Sequence, residues 1–461
     1  MTTVQPTTLP AWRERLVGHD VSVPIYGASP ITPANFDHAA STPALRSVAE
    51  AVNHLLEWYS SVHRGAGFLS QVSTAAFEEA RAIVGSFVGA RPGQHVVIFG
   101  ANTTWALNKL AHRLACRPGD VIISTELEHH ANDLPWRQVA EVVHARADVH
   151  GDLDVAHVAQ LLERYAGRVR LLAVTGGSNV SGSLPPIHRL AELAHAAGAQ
   201  IVVDAAQLAA HRPINIGDLA DPQHLDYLAI SGHKMYAPFG SGALIGRRDT
   251  FAAGVPEAVG GGTVRRVATE AVEWADAPAR DEAGTPNLVG AVALAAAIRE
   301  LQQIGMAAIA AHEAALTSRL LGRLAELPRV RIYGQADPAR AAERLGVIPF
   351  AVEGMDHRLV AAILSCEYGI AVRCGAFCAH PYVARLLGDP AADAACSNGQ
   401  AGLVRLSLGL ASSDDDVDRL IDALEALIQR RYRGSYQLCD DGLYRPQGWH
   451  PLPFDAFSLL G

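Results

Sequence analysis

The segment Ser231-Gly232-His233-Lys234 sets a lysine behind small and polar residues, with Gly240 and Gly242 close after it. Lys234 and Lys109 are the only lysines in the chain. Arginine has displaced lysine wherever a positive charge suffices, so a retained lysine suits a task that a guanidinium cannot perform, such as forming an imine. Ser231 and His233 can bind a phosphate beside it. A surface lysine behind a strand is the plainer reading of the segment alone. Some thirty residues earlier, the apolar run Ile201-Val202-Val203 ends in Asp204, with Gln207 one turn on. A carboxylate there can bond a pyridine nitrogen and keep it protonated, the condition under which a pyridoxal phosphate ring becomes an electron sink. Gln207 can reach the ring hydroxyl. Taken alone, Asp204 also reads as a helix cap.

Two further segments carry compatible chemistry. Gly100-Ala101-Asn102-Thr103-Thr104 follows an apolar run and opens a helical pattern, where backbone N–H groups and hydroxyls form an anion site. It lacks the lysine of a nucleotide-binding loop, which favours a bound cofactor phosphate over a transferred one; an ordinary threonine N-cap is the alternative. In Glu128-His129-His130-Ala131-Asn132, His129 can stack on a flat ring and move protons, although a lone histidine usually has a structural role. Cys374 and Cys378 have no second Cys/His pair at metal-site spacing, so no metal is expected.

The elements that would position these residues are legible as alternating patterns. Apolar runs at Val96 to Phe99, Val121 to Thr125, Val169 to Thr175, Ala199 to Asp204, Leu225 to Ile230 and Gly242 to Gly246 alternate with helix-patterned stretches at Thr103 to Ala115, Val155 to Tyr165 and Pro186 to Ala197. This predicts an α/β fold around a mostly parallel sheet of βαβ units, with ligands at the carboxyl ends of the strands. An alanine-rich helix, Leu288 to Ile304, leads to a smaller α+β region containing Ala307 to Ala325, Leu345 to Val352, Arg358 to Tyr368, Gly402 to Leu408 and Asp414 to Arg430. The expected division is an amino-terminal segment 1–35, a large domain 36–300, a small domain 301–431 and a tail 432–461. The tail, rich in Tyr, Pro and Gly with Trp449, is expected to pack on the body or on a partner subunit.

Composition narrows the partners. With 461 residues, 49% hydrophobic and 18% charged, the chain suits two packed domains and not a disordered or fibrous protein. A net charge of −9 leaves no basic excess for nucleic acid. No signal-like or membrane-spanning run is expected, so the sequence reads as cytoplasmic. Six scattered cysteines do not suggest a disulfide framework.

Taken together these segments resemble the class V aminotransferases of pyridoxal phosphate fold type I, most closely the group II cysteine desulfurases and selenocysteine lyases, over roughly Phe36 to Arg431. The resemblance implies a large domain with a mostly parallel sheet, a smaller carboxyl-terminal α+β domain, and pyridoxal 5'-phosphate bound as a Schiff base to Lys234. By the same resemblance, Ser231, His233, Thr103 and Thr104 belong to the phosphate site, Asp204 pairs with the ring nitrogen, Gln207 meets the ring oxygen and His129 stacks on the ring. Asn179 lies near substrate and cofactor, and Arg405 grips the substrate carboxylate. Ala39, His63 and Arg64 line the substrate entrance, and Arg373 precedes the nucleophilic Cys378. Thr285, in Ala283-Gly284-Thr285-Pro286-Asn287, implies a homodimer, because the family's threonine reaches the neighbouring subunit's phosphate.

Two departures bear on the substrate. Ala376 and Phe377 stand where many group II enzymes have histidines, and Trp105 stands where an acid is frequent. Both make the pocket more apolar. The expected activity is removal of sulfur or selenium from a cysteine-type amino acid through a Cys378 persulfide, with a possible sulfur-acceptor protein. Alternatives are a C–S β-lyase acting on an S-substituted cysteine, an aminotransferase or epimerase, and a non-catalytic regulatory scaffold that binds the cofactor.

Overall fold

The computed structural model describes residues 10–148, 150–388, 395–396, 399, 401–449 and 457–459. Residues 1–9 of the amino-terminal segment, and residues 450–456 and 460–461 of the tail, lie outside the described residues.

The apolar runs form a seven-stranded sheet of β1 (His95–Gly100), β2 (Val121–Thr125), β3 (Glu141–Ala145), β4 (Val169–Thr175), β5 (Gln200–Asp204), β6 (Tyr227–Ser231) and β7 (Gly242–Arg247). Its order is β1-β7-β6-β5-β4-β2-β3. Strands β2 and β6 are buried along their whole length, as a parallel sheet covered on both faces requires. The sheet is mostly parallel, as expected, and β7 is its exception: it runs antiparallel to both β6 and β1. The loop between Ser231 and Gly242 is too short for a helical crossover, so the chain turns straight back. The edge strand β3 was not expected. Its sequence, Glu-Val-Val-His-Ala, is mostly half-exposed and lacks a long apolar run.

Helices Thr103–Arg113, Val155–Arg164 and Ile187–Ala196 lie at the stretches expected for them. Two longer helices, Arg46–Trp58 and Phe68–Phe87, were not anticipated; both pack on Leu288–Ile304. At Gly305, with φ 93°, that helix ends and Met306–Glu326 begins at a bend of 74°. A positive φ of this kind costs glycine little. Among the described residues, no single helix is long and apolar enough to cross a membrane.

Beyond the bend a second core forms. Strands β8 (Val330–Ile332), β9 (Val347–Val352), β10 (Arg373–Gly375) and β11 (Leu403–Ser407) pair antiparallel in the order β8-β9-β11-β10. Leu320, Phe350, Val360, Leu406 and Leu424 are buried there, between this sheet and helices Met306–Glu326, His357–Tyr368 and Asp414–Ile428. The last helix starts in a capping box between Ser413 and Asp416, which satisfies amide donors the helix cannot. The tail forms a hairpin, Tyr436–Leu438 with Tyr444–Pro446. The Tyr436 hydroxyl donates to Glu367 at 3.1 Å, and Trp449 packs edge-on against Tyr26.

Candidate active site

Strands β1, β2, β4, β5 and β6 share a direction, so Gly100, Thr125, Thr175, Asp204 and Ser231 all end on one edge of the sheet. A cavity of about 550 Å³ opens there. β6 leads through a single 3-10 turn, Gly232–Lys234, that carries Lys234 into it. The loops can meet only because residue 242 is glycine: a Cβ there would lie 2.6 Å from the Ile230 carbonyl and 2.7 Å from the Asn102 backbone. Burial pushes the Lys234 ammonium down to about 8, with Arg405 acting in the same direction against Asp204 and Cys378. A useful fraction of this amine is therefore neutral and nucleophilic near physiological pH.

At the ring end, Asp204 closes β5 and is buried. Its Oδ1 accepts from the Ala206 N–H at 2.9 Å. Burial pushes its carboxyl up, and among the described residues no cationic side chain forms an ion pair with it. A protonated ring nitrogen is the kind of partner that such a carboxylate lacks. Gln207 donates from Nε2 to the Ala39 carbonyl at 2.8 Å, which fixes both residues on the cavity wall.

The phosphate end is built from two loops. The Thr103 N–H donates to Ser231 Oγ at 2.8 Å, and the two hydroxyls bond at 2.9 Å. The helix cap is neither threonine: the Asn102 side chain accepts from the Trp105 N–H at 2.9 Å. That corrects the threonine-cap alternative, and it leaves Thr104, which also lines the cavity, free of capping duty. His233 sits alongside, pushed down by burial and by Lys234. Hydroxyls, backbone N–H groups and a helix start suit a phosphate here, so both ends of the cavity fit pyridoxal phosphate.

His129 faces the same space. Its Nδ1 accepts from the Ala131 N–H at 3.0 Å, so the neutral ring carries its proton on Nε2. Burial, then Lys234, His130 and Arg405, push it down to about 4, and the ring is uncharged at neutral pH. Glu128 braces this turn, a role that its motif alone did not reveal. Its carboxylate accepts from the Thr125 hydroxyl at 2.6 Å, the Thr175 N–H at 2.9 Å and the Asn132 amide at 2.6 Å. Two strand ends and the histidine turn are thereby tied together. Burial pushes Glu128 up to about 8.

The opposite wall comes from the second core. Arg405 on β11 is 3% exposed. It donates from Nη1 to the Asn179 carbonyl at 3.0 Å and from Nη2 to Asp37 Oδ1 at 3.0 Å, while the Phe377 ring covers its face at 5.0 Å. Asp37 also pairs with Arg373 at 3.2 Å; sequence reasoning named its neighbour Ala39 and not Asp37 itself. Asn179 Nδ2 donates to the Phe377 carbonyl at 2.8 Å, and the His130 N–H to the Cys378 carbonyl at 2.8 Å. Between these anchors Phe377 and Cys378 adopt φ values of 54° and 55°. Left-handed backbone at two non-glycine residues costs about 1 kcal/mol or more each, and it presents Cys378 exposed at the cavity mouth.

Three expected residues are not brought to this cavity. Thr285 lines a separate depression with Gly100, Trp105 and Lys109. His63 bonds Glu78 at 2.8 Å, and Arg64 reaches the Gly284 carbonyl at 3.4 Å, in another depression.

Comparison with known proteins agrees with this geometry. A sequence model of the family described as Aminotransferase class-V matches residues 34–420. A cysteine desulfurase of Haloferax volcanii is 35% identical over 423 residues, covering 90% of this chain and 94% of its own length. One from Dickeya dadantii is 36% identical over 404 residues, covering 86% and 92% respectively. Among solved structures, the apo cysteine desulfurase of Thermococcus onnurineus superposes with a TM-score of 0.81 at 31% identity, covering 93% of this chain and 100% of that one.

Proposed function

We propose, from the premise that this chain belongs to the class-V aminotransferase family, that it is a pyridoxal-phosphate-dependent cysteine desulfurase with Lys234 as the cofactor lysine and Cys378 as the sulfur acceptor. The observation that carries the reading is the meeting, in one cavity, of a buried Asp204 with no ion pair among the described residues, a lysine pushed down to about 8 and an accessible thiol. Pyridoxal phosphate, when bound, supplies an electron sink for charge developing at the carbon next to an amino group.

The residues of the chain do the rest. Arg405 holds the substrate α-carboxylate, with Asn179 bracing its guanidinium. Lys234 Nζ takes and returns the proton at the α-carbon, and Asp204 keeps its charge against the ring nitrogen. His129, uncharged and carrying its proton on Nε2, covers the ring face. The Cys378 sulfur attacks the substrate sulfur: an S–S bond forms, the C–S bond breaks, and the bonding electrons with one proton complete alanine. The enzyme is left as a persulfide, ready for a second thiol to take the terminal sulfur.

A homodimer is part of the proposal. Support comes from Thr285, held outside the cavity of its own chain, and from exposed apolar residues Phe68 and Val259. A cytoplasmic setting suits a free, accessible thiol. The test is to incubate the loaded protein with L-cysteine and with S-substituted cysteines, then measure alanine, sulfide and pyruvate separately. Alanine with sulfide from L-cysteine, abolished by Cys378→Ala, is expected; pyruvate with ammonia, unchanged in that variant, would make the protein a C–S lyase.

A further inference from the structure

We propose that Trp105 is a positioning residue for the cofactor phosphate: its ring props the loop from Gly100 to Thr104 and so sustains the phosphate's share of cofactor affinity without touching the cofactor. The inference rests on the reading of the Lys234 cavity as a pyridoxal phosphate site and adds to it the side chain that fixes one end of that site.

The loop that leads from β1 into the helix Thr103–Arg113 contributes Asn102, Thr103 and Thr104 to the cavity wall. One side of it is already fixed. The Thr103 N–H and hydroxyl both meet Ser231 Oγ, and Gly242 lies against the Asn102 backbone. Trp105, expected to make the pocket more apolar, does not line that cavity; it lines the neighbouring depression with Gly100, Ala101 and Lys109. Its ring lies on Gly100. A Cβ at residue 100 would overlap Cδ2, Cε3 and Cζ3 of the indole, the three atoms nearest to that position. Gly100 has no positive φ, so its backbone would accept alanine. The indole, not the backbone, leaves no room for a side chain there.

The ring is held by contacts of its own. It packs half-buried against the apolar cluster that contains Ile98, Ala106 and Trp136. Lys109, one turn on, sets its ammonium 4.9 Å from the ring centroid, a distance at which a cation is attracted to the indole. Glu257 at 3.5 Å and Asp281 at 4.0 Å hold that ammonium in turn. The Trp105 N–H donates to Asn102 Oδ1 at 2.9 Å, which needs only the backbone of residue 105. Replacing the side chain therefore removes the prop and keeps the helix cap. A loop backed in this way holds its N–H groups and hydroxyls in place before a phosphate arrives, so less affinity is lost to ordering.

The experiment is equilibrium binding of pyridoxal phosphate, and of pyridoxal, which lacks the phosphate, to the cofactor-free full chain, followed by imine absorbance. Wild type, Trp105→Ala, Gly100→Ala and the double variant are compared. Trp105→Ala should weaken pyridoxal phosphate by about tenfold and leave pyridoxal within about twofold of wild type. A general loosening of the fold would weaken both ligands alike. Gly100→Ala should act in the same direction, because its methyl group drives ring and loop apart. In the double variant the methyl group occupies space that the indole has left, so pyridoxal phosphate should bind no more weakly than to Trp105→Ala. Independent losses, multiplying to about a hundredfold, overturn the proposal, as does an unchanged ratio of the two affinities in Trp105→Ala. If Trp105→Ala does not fold, Gly100→Ala decides alone, and equal weakening of both ligands overturns it. Wild type that forms an imine with neither ligand would remove the pyridoxal phosphate reading itself; wild type that binds both, with a ratio indifferent to Trp105, leaves that reading standing and overturns this proposal alone.

Discussion

The two lysines of this chain are a natural contrast. Lys109 is 1% exposed, and its ammonium has partners: Glu257 at 3.5 Å, Asp281 at 4.0 Å and the Trp105 ring at 4.9 Å. Lys234 is partly open to the cavity and forms no ion pair among the described residues, and burial pushes it down to about 8. Both sit near the same strand ends. The difference lies in the shell: carboxylates and an aromatic face surround one amine, whereas burial without an ion pair makes the neutral form of the other accessible. Scarcity of lysine in the sequence marks both residues equally; only the surroundings separate a structural cation from a reactive amine.

The most severe way to break this contrast is covalent. Borohydride reduction of the loaded protein should fix the cofactor on Lys234 alone, and Lys234→Ala should lower turnover by about 10³-fold or more. Labelling found on Lys109 by mass mapping would reverse the assignment. Next in size, Asp204→Asn should retain cofactor but lose about 10²-fold in turnover, because a neutral amide cannot hold the ring nitrogen protonated. Steady-state rates at saturating L-cysteine check this, and full activity would remove Asp204 from its role.

Smaller effects sharpen the contrast as stability. Lys109→Met should destabilise the protein by about 1 kcal/mol, since the buried Asp281 keeps Arg113 at 3.5 Å as its other cation and the partner Glu257 is partly solvated. Lys234→Met should do the opposite in cofactor-free protein. Folding lowers the Lys234 pKa from 10.5 to about 8, so between those values the unfolded chain binds more protons and stability rises with pH. Below about pH 8 the penalty is present in full, and removing the amine there should gain about 1–3 kcal/mol. Urea unfolding at pH 7 and pH 10 reads both: the Lys234→Met advantage should shrink at the higher pH.

Much of the fold was legible because its elements have strong local signals. β2, β4 and the helix Leu288–Ile304 fall where the apolar runs and the alanine-rich pattern put them. β3 was not, since a short, half-exposed edge strand lacks the continuous run that marks its buried neighbours. The reversed direction of β7 hinged on counting the short loop before it, not on the strand itself.

The site divides in the same way. Lys234, Asp204 and Thr103 follow apolar strands in sequence, so their meeting at one edge can be reasoned from topology. Asp37 and Glu128 could not be assigned this way: their roles arise from partners hundreds of residues distant, as Asp37 with Arg405, or from three bonds converging on one buried carboxylate. The asparagine cap at the phosphate loop was obscured by the adjacent threonines, which are also good caps. The paired left-handed residues at Phe377 and Cys378 leave no sequence signal, since neither is glycine or asparagine.

The central claim, that sulfur leaves the substrate by way of Cys378, is tested most directly by a short pulse of L-cysteine, alkylation and peptide mass mapping of the loaded protein. One extra sulfur atom on the peptide containing Cys378, formed along with alanine and absent in Lys234→Ala, is the predicted result. Alanine and sulfide appearing while Cys378 gains no sulfur would contradict it.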